Sequence, residues 1–264
     1  MSIPEPSASE PSADAAPTPE PSDAARQRWR LVLACGPDAS GRSGRDQTDS
    51  WEAALESSGL PAFRPAGRAH ARVAFGPPLP LGIAAEAELA DILLTELEPA
   101  WRVREGLAAC LPDGWRLVDL YDMWLGAPAL AGQVAAADYR IDLGVADADA
   151  IGAAAAALLK AERLPRERPK GGTIVRYDLR PLLADIRVVD DGPPVVVVAR
   201  TRFLPDLGTG RPAEVVAALE DVIGAPLVIG PIVRERLLLA EDLERERQDR
   251  GPVPGLPHSP ECVD

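Results

Sequence analysis

His70 stands between two arginines in "AGRAHARVAFGPPLPLG" (residues 66–82), and it is the single histidine of the chain outside the C-terminal stretch that holds His258. A neutral imidazole near pH 7 takes or gives a proton, and Arg68 and Arg72 would supply positive charge for a phosphate or carboxylate. A plainer arrangement fits the same residues. Strand alternation puts positions 68, 70 and 72 on one solvated face, opposite Val73 and Phe75. Both readings stand at this level, with no second histidine in the body of the chain to complete an acid/base pair.

Three other stretches carry chemistry-bearing residues. In "VRYDLRPLL" (175–183), Arg176, Asp178 and Arg180 alternate, so an extended segment makes them either a salt-bridged exposed face or an anion-binding stripe. In "LGTGRPAE" (207–214), Thr209, Gly210 and Arg211 precede a helical pattern whose first turn suits Pro212. A helix start of this kind holds a phosphate or carboxylate, whereas a dinucleotide site needs a parallel strand–helix–strand unit that the surrounding pattern lacks. The run "ERLPRERPKGG" (162–172) sets Arg163, Arg166, Arg168 and Lys170 against two acids. It is either a charged hairpin edge that discourages strand pairing or the docking point for RNA or an acidic partner, although adjacent aromatics for base stacking are missing.

Metal chemistry finds little support. Cys35, Cys110 and Cys262 are odd in number and far apart, so they form neither a disulfide framework nor a ligand spacing, and there is no Cys-x-x-x-Cys-x-x-Cys for an iron–sulfur cluster. Asp138, Asp142 and Asp147 are too dispersed for a calcium loop. His258 and Cys262 supply two ligands where a metal needs a third and fourth. No metal and no cofactor is therefore expected.

The elements that must position these residues follow from composition and pattern. Hydrophobic residues make up 46% of the 264, enough for a buried core, but only 4% are aromatic, so Leu, Val, Ile and Ala must build it. The formal charge is −13; residues 1–25 contribute −5 and residues 241–264 contribute −4, leaving −4 for the middle. A mildly acidic body disfavours non-specific nucleic-acid binding. Residues 1–26, rich in Pro, Ser, Ala and acids, are expected to be disordered, and residues 241–264 to form a charged, proline-rich tail. The start of the chain is no secretory signal, and the longest apolar run, "AIGAAAAALL", is too short to span a bilayer, which points to a cytoplasmic protein.

Between the tails, "RWRLVLAC" reads as strand, "DSWEAALESSGLP" as helix, "HARVAF" and "AELADILLTE" as strands, "EPAWRVREGLAACLPDG" as helix and "WRLVDLYDMW" as strand. The order recurs with "ADYRIDLGV", "DADAIGAAAAALLKAE", strands near "GTIVRYDL", "LADIRVVDD" and "PPVVVVARTR", then "RPAEVVAALEDVIG" and "GPIVRERLLL". The expected fold is α+β: two tandem ferredoxin-like βαββαβ units with antiparallel sheets, at 27–126 and 127–240.

The segments "FGPPLPLGIAAEAELADILL", "ADYRIDL", "VRYDLRPLL" and "GTGRPAEVVAAL", in this order, resemble the radical SAM-linked proteins, over roughly residues 28–240. Members of that family stand alone or are fused to a cobalamin-binding-type radical SAM protein. The resemblance implies a partner, a separately encoded radical SAM enzyme, with this chain as a non-catalytic accessory or substrate-recognition module. Its motif Gly-Phe-Asn-Pro-His-Pro-Lys aligns with His70 and Arg72, with "AGRA" replacing the first four residues. Its Leu-Ser-His-Leu-Asp-Leu motif aligns its aspartate with Asp46 and its histidine with Gly44. Together with the residue patterns above, the ligand-binding candidates are Asp46, Arg68, His70, Arg72, Arg176, Arg180, Thr209 and Arg211. The rival reading is an RNA-binding or RNA-processing protein on a duplicated ferredoxin-like fold.

Overall fold

A computed structural model describes residues 24–40 and 44–249. The stretches 1–23 and 250–264, with His258 and Cys262, lie outside the described residues, as does the side chain of Asp46.

The chain opens with β1 (Gln27–Cys35), in which Trp29, Leu31, Leu33 and Cys35 enter an apolar cluster while Arg28 and Arg30 face the other way. A short α1 (Pro37–Ser40) leads to α2 (Gly44–Ser57), which buries Trp51 and Leu55, one turn apart. Then come β2 (Ala74–Phe75), β3 (Ala84–Leu94), α3 (Ala100–Ala108) and β4 (Trp115–Met123). The expected strand "HARVAF" is thus reduced to its last two residues. A short α4 (Leu130–Gln133) runs into β5 (Val134–Asp142). The next helix, α5 (Ala148–Lys160), starts at Asp147, whose carboxylate accepts from the Asp149 and Ala150 amides, and buries Ile151, Ala154, Ala155 and Leu158.

Strands β6 (Pro165–Lys170) and β7 (Thr173–Asp178) form a separate two-stranded hairpin. Its two-residue turn, Gly171–Gly172, has φ of 57° and 82°, which side chains disfavour and glycine does not. The main sheet resumes with β8 (Leu183–Asp190), β9 (Val196–Leu204) and β10 (Gly208–Thr209). Helix α6 (Pro212–Ile223), with Pro212 in its first turn and Gly224 at φ 77° after its last, precedes β11 (Ile232–Leu239). The charged stretch assigned from sequence to a tail is helical over α7 (Ala240–Asp249).

Nine strands share one mixed sheet in the order β10-β9-β5-β11-β3-β1-β4, with β2 also on β3 and β8 also on β9. Every pair is antiparallel except β11 with β3, which meet at Val233–Ala84 and Arg234–Ala85. The neighbours run β4-β1-β3-β2 in the first half and β11-β5-β9-β8 in the second. Two apolar clusters lie on the side of the sheet covered by α2, α3, α5 and α6, one drawn from residues 29–120 and one from 130–239. The opposite face carries ion pairs and is crossed by α7. No helix among the described residues is long and apolar enough to cross a membrane.

Candidate functional site

The charged groups inside this fold collect at three places. At the seam between the halves, Arg234 of β11 is fully buried, and its Nε donates to Glu88 Oε1 of β3 at 2.5 Å, with a second short bond from Nη2 to Glu88 Oε2. The same guanidinium donates to the carbonyls of Pro77 (3.1 Å) and Pro78 (3.3 Å) and lies 3.5 Å from the Tyr139 hydroxyl. Burial works against its charge, but the Glu88 carboxylate outweighs that and holds the guanidinium above its usual value. The "GPPLPLG" turn is therefore tied to the sheet seam through its own backbone. Cys35 lies in the field of the same pair, and burial first, then the Glu88 charge, pushes its thiol up to about 11, an unreactive state.

On the face crossed by α7, Asp138 of β5 receives Arg200 Nε at 2.6 Å and Arg236 Nε at 3.0 Å, and Glu246 of α7 closes the ring on both arginines at 2.6 and 3.1 Å. Burial alone would raise the Asp138 carboxyl; the two arginines overcome it and hold it below the usual range. Along β1 and β3, Asp91 binds Arg28 (2.5 Å) and Arg30 (2.8 Å), and Arg28 also donates to the carbonyls of Ala127 and Pro128, fixing the connection that leads to β5.

The residues singled out from sequence fall elsewhere. Arg68, His70 and Arg72 are exposed on the irregular segment before β2, while Ala71 and Val73 between and after them are buried. The Ala71 amide donates to Glu56 Oε1 at 2.9 Å, and Arg64 pairs with the same carboxylate. The Arg64 hydrogen bond, then the Ala71 amide, and to a smaller extent the Arg64 and His70 charges push Glu56 down to about 2. Arg180 turns its guanidinium onto the carbonyls of Leu159 (2.7 Å), Leu183 (2.9 Å) and Ala161 (3.1 Å). Arg176 projects into solvent against Glu167 at 2.6 Å. Thr209 pairs with Phe203, and exposed Arg211 occupies the residue before α6. The fold does not gather these positions into one cleft.

It does gather the basic run. The hairpin lies against α6, where Arg166 pairs with Asp221, and Arg168 sits 3.8 Å from Glu214 with its guanidinium 4.9 Å over the Tyr177 ring. Arg163 reaches Asp178 at 3.7 Å. Burial, then the adjacent Glu214 carboxylate, holds the Tyr177 phenol above its usual value. An open groove of about 770 Å³ lies between hairpin and helix. Among the described residues no group of three or more His, Cys, Asp and Glu side chains is placed to hold a metal ion.

Comparison with protein families matches residues 42–211 to the family described as "Uncharacterized protein conserved in bacteria (DUF2344)". The chain belongs to this family. The DUF2344 match ends at Arg211, so it takes in the "GPPLPLG" turn, the hairpin and Thr209 but stops before α6. No curated protein matches the chain. Among solved structures it is similar to a chain from "Crystal Structure of a Cbf5-Nop10-Gar1 Complex", with a TM-score of 0.43 and 10% identity, covering 79% of this chain. The match spans about half, 48%, of that chain.

Pattern reading missed Glu88 with Arg234, Asp138 with Arg200 and Arg236, and Asp91 with Arg28 and Arg30. The available signal was an arginine or acid inside an otherwise apolar strand, which in a half-buried strand needs a partner across the ladder.

Proposed function

We propose that this DUF2344 protein is a non-catalytic accessory or recognition module that docks on a separately encoded radical SAM enzyme in the cytoplasm. Its body is two tandem ferredoxin-like units, 27–126 and 127–240; the support is that each half orders its strands as fourth, first, third, second. The observation that carries the docking reading is a surface at the β4 end of the sheet. Trp124 is 77% exposed, Trp101 65% and Tyr121 51%, in a chain with only five Trp and three Tyr. The Gln27 side chain holds this surface together by bonding both the Glu98 backbone and the Asp122 carboxylate, which sets the start of α3 beside the end of β4. Exposed aromatics around an edge strand are the usual anchors of a protein interface.

In this reading His70, Arg68 and Arg72 give a second, polar contact on the far side of the first unit. The RNA alternative rests on Arg163, Arg166 and Arg168, and each of these has a carboxylate neighbour, which favours the protein partner. A purified radical SAM enzyme from the same organism tests the proposal by surface-immobilised binding. Trp101→Ser with Trp124→Ser should weaken the complex by roughly tenfold or more, since interface tryptophans typically carry about 2 kcal/mol or more. An Arg166→Ala, Arg168→Ala pair should leave it unchanged. Absence of any complex, together with low-salt RNA binding that those arginine changes abolish, would overturn the reading.

A further inference from the structure

Among the described residues, two part-buried basic side chains make no ion pair: Arg180 and Arg202. Arg180 is accounted for. Two of its three carbonyl partners, Leu159 and Ala161, lie at the end of α5, where the negative pole of the helix takes a cation. Arg202 is not. Its Nη1 donates to the Pro181 carbonyl at 3.0 Å, and the residue lines a groove of about 490 Å³ between α7 and strands β8 and β9.

The groove has the shape of a built site. Ala184 and Leu243 supply an apolar surface, and Arg202 supplies charge at one side. The other charges are already used: Arg200 is held by Asp138 and Glu246, Arg247 lies 3.2 Å from Glu244, and Asp185 is 3.8 Å from Arg187. What remains is one positive charge. Burial, and then the neighbouring Arg180 charge, press the Arg202 guanidinium below its usual value, so an anion there would relieve both. A guanidinium with one nitrogen engaged still offers a planar fork of donors to a two-oxygen head.

We infer that this groove binds a small organic anion bearing one carboxylate or phosphate head on Arg202, with its apolar part against Ala184 and Leu243. The site lies in the second half of the sheet, away from the aromatic surface at β4, so its test is independent of the accessory-module reading. The full-length chain is titrated with hexanoate, hexyl phosphate, inorganic phosphate and hexylammonium, followed by amide chemical shifts. The expected result is saturable binding of hexanoate or hexyl phosphate at millimolar concentration, with shifts confined to β8, β9 and α7, and no such response to hexylammonium. Whichever of the two binds better names the head group. Arg202→Gln should weaken binding about tenfold or more, as loss of a charge-assisted pair does, and Arg202→Lys should lie between. Leu243→Ser should weaken the hexyl ligands and not inorganic phosphate. Equal binding by Arg202→Gln or by a folded Arg202→Lys at the wild-type level, or no saturable binding of either hexyl anion, overturns the inference.

Discussion

Replacing Arg234 by Met tests how the two halves of the sheet are joined. The wild-type guanidinium is fully buried and makes a two-pronged pair with Glu88, plus bonds to the Pro77 and Pro78 carbonyls. The substitution keeps the volume but leaves a carboxylate and two carbonyls without their donor. Breaking a buried pair from one side costs about 3–5 kcal/mol. For a chain of this size each kcal/mol moves the melting midpoint by about 2–4 °C, so the midpoint should fall by roughly 6–20 °C. Urea unfolding gives the free energy, and hydrogen exchange gives the location: amides of Gly76, Leu79, Leu81 and Gly82 should lose whatever protection they have, because the turn has lost its tie. The paired change Glu88→Leu with Arg234→Met removes the orphaned charge and should recover to within about 1 kcal/mol of the wild type. A single variant that loses less than about 1 kcal/mol, or a double variant no better than the single, refutes the seam as a pairing that each partner needs.

Three further outcomes follow from local geometry. Glu56 has its carboxyl lowered from 4.5 to about 2 in the fold, so it stabilises the protein above the unfolded value and that contribution is lost as pH falls from about 4.5 through about 2; Glu56→Gln should flatten the acid side of a stability–pH curve in that window, read by urea midpoints. At Gly210 a Cβ would lie 2.8 Å from the Leu182 carbonyl oxygen and 2.9 Å from Thr201 Cβ, so Gly210→Ala should destabilise by about 1–3 kcal/mol, whereas Gly152→Ala, with open space around it in α5, should stabilise by about 0.5–1 kcal/mol.

Much of the chain's element order is readable from alternation and helix spacing, since Trp29, Leu31 and Leu33 on β1 or Ile151, Ala154, Ala155 and Leu158 on α5 repeat at the periods their burial demands. The errors have physical causes. "HARVAF" alternates, yet its two buried residues, Ala71 and Val73, are held by Glu56 and the first core rather than by a strand partner, so pairing begins only at Ala74. "GTIVRYDL" is extended as expected, but the glycine turn before it folds it back on β6 instead of into the main sheet. "AEDLERERQD" looks like tail because none of its residues is buried, and it is helical where Glu246 meets Arg200 and Arg236, a long-range pairing that local pattern does not contain. Exposed His70 stands out in the sequence because histidine is rare in it, whereas each buried ion pair joins strands far apart in sequence and shows only once the strands are paired.

The deepest reason the charged sites were hidden is a single irregularity in β11. In "PIVRERLLL" the two arginines are two residues apart, so regular alternation assigns Arg234 and Arg236 to the same face. The register shifts between them: Arg234 stands opposite Tyr139 and Arg236 opposite Asp138, neighbours on β5 that point to opposite sides of the sheet. An extra residue on one strand, Glu235, thereby sends one arginine to the buried seam with Glu88 and the other to the open face with Asp138 and Glu246. One strand so divided serves two networks at once, closing the joint with β3 on one side and supporting the face crossed by α7 on the other. Its period-2 pattern carries no mark of where the bulge falls, because either arginine would satisfy either acid; only the pairing with β5 chooses.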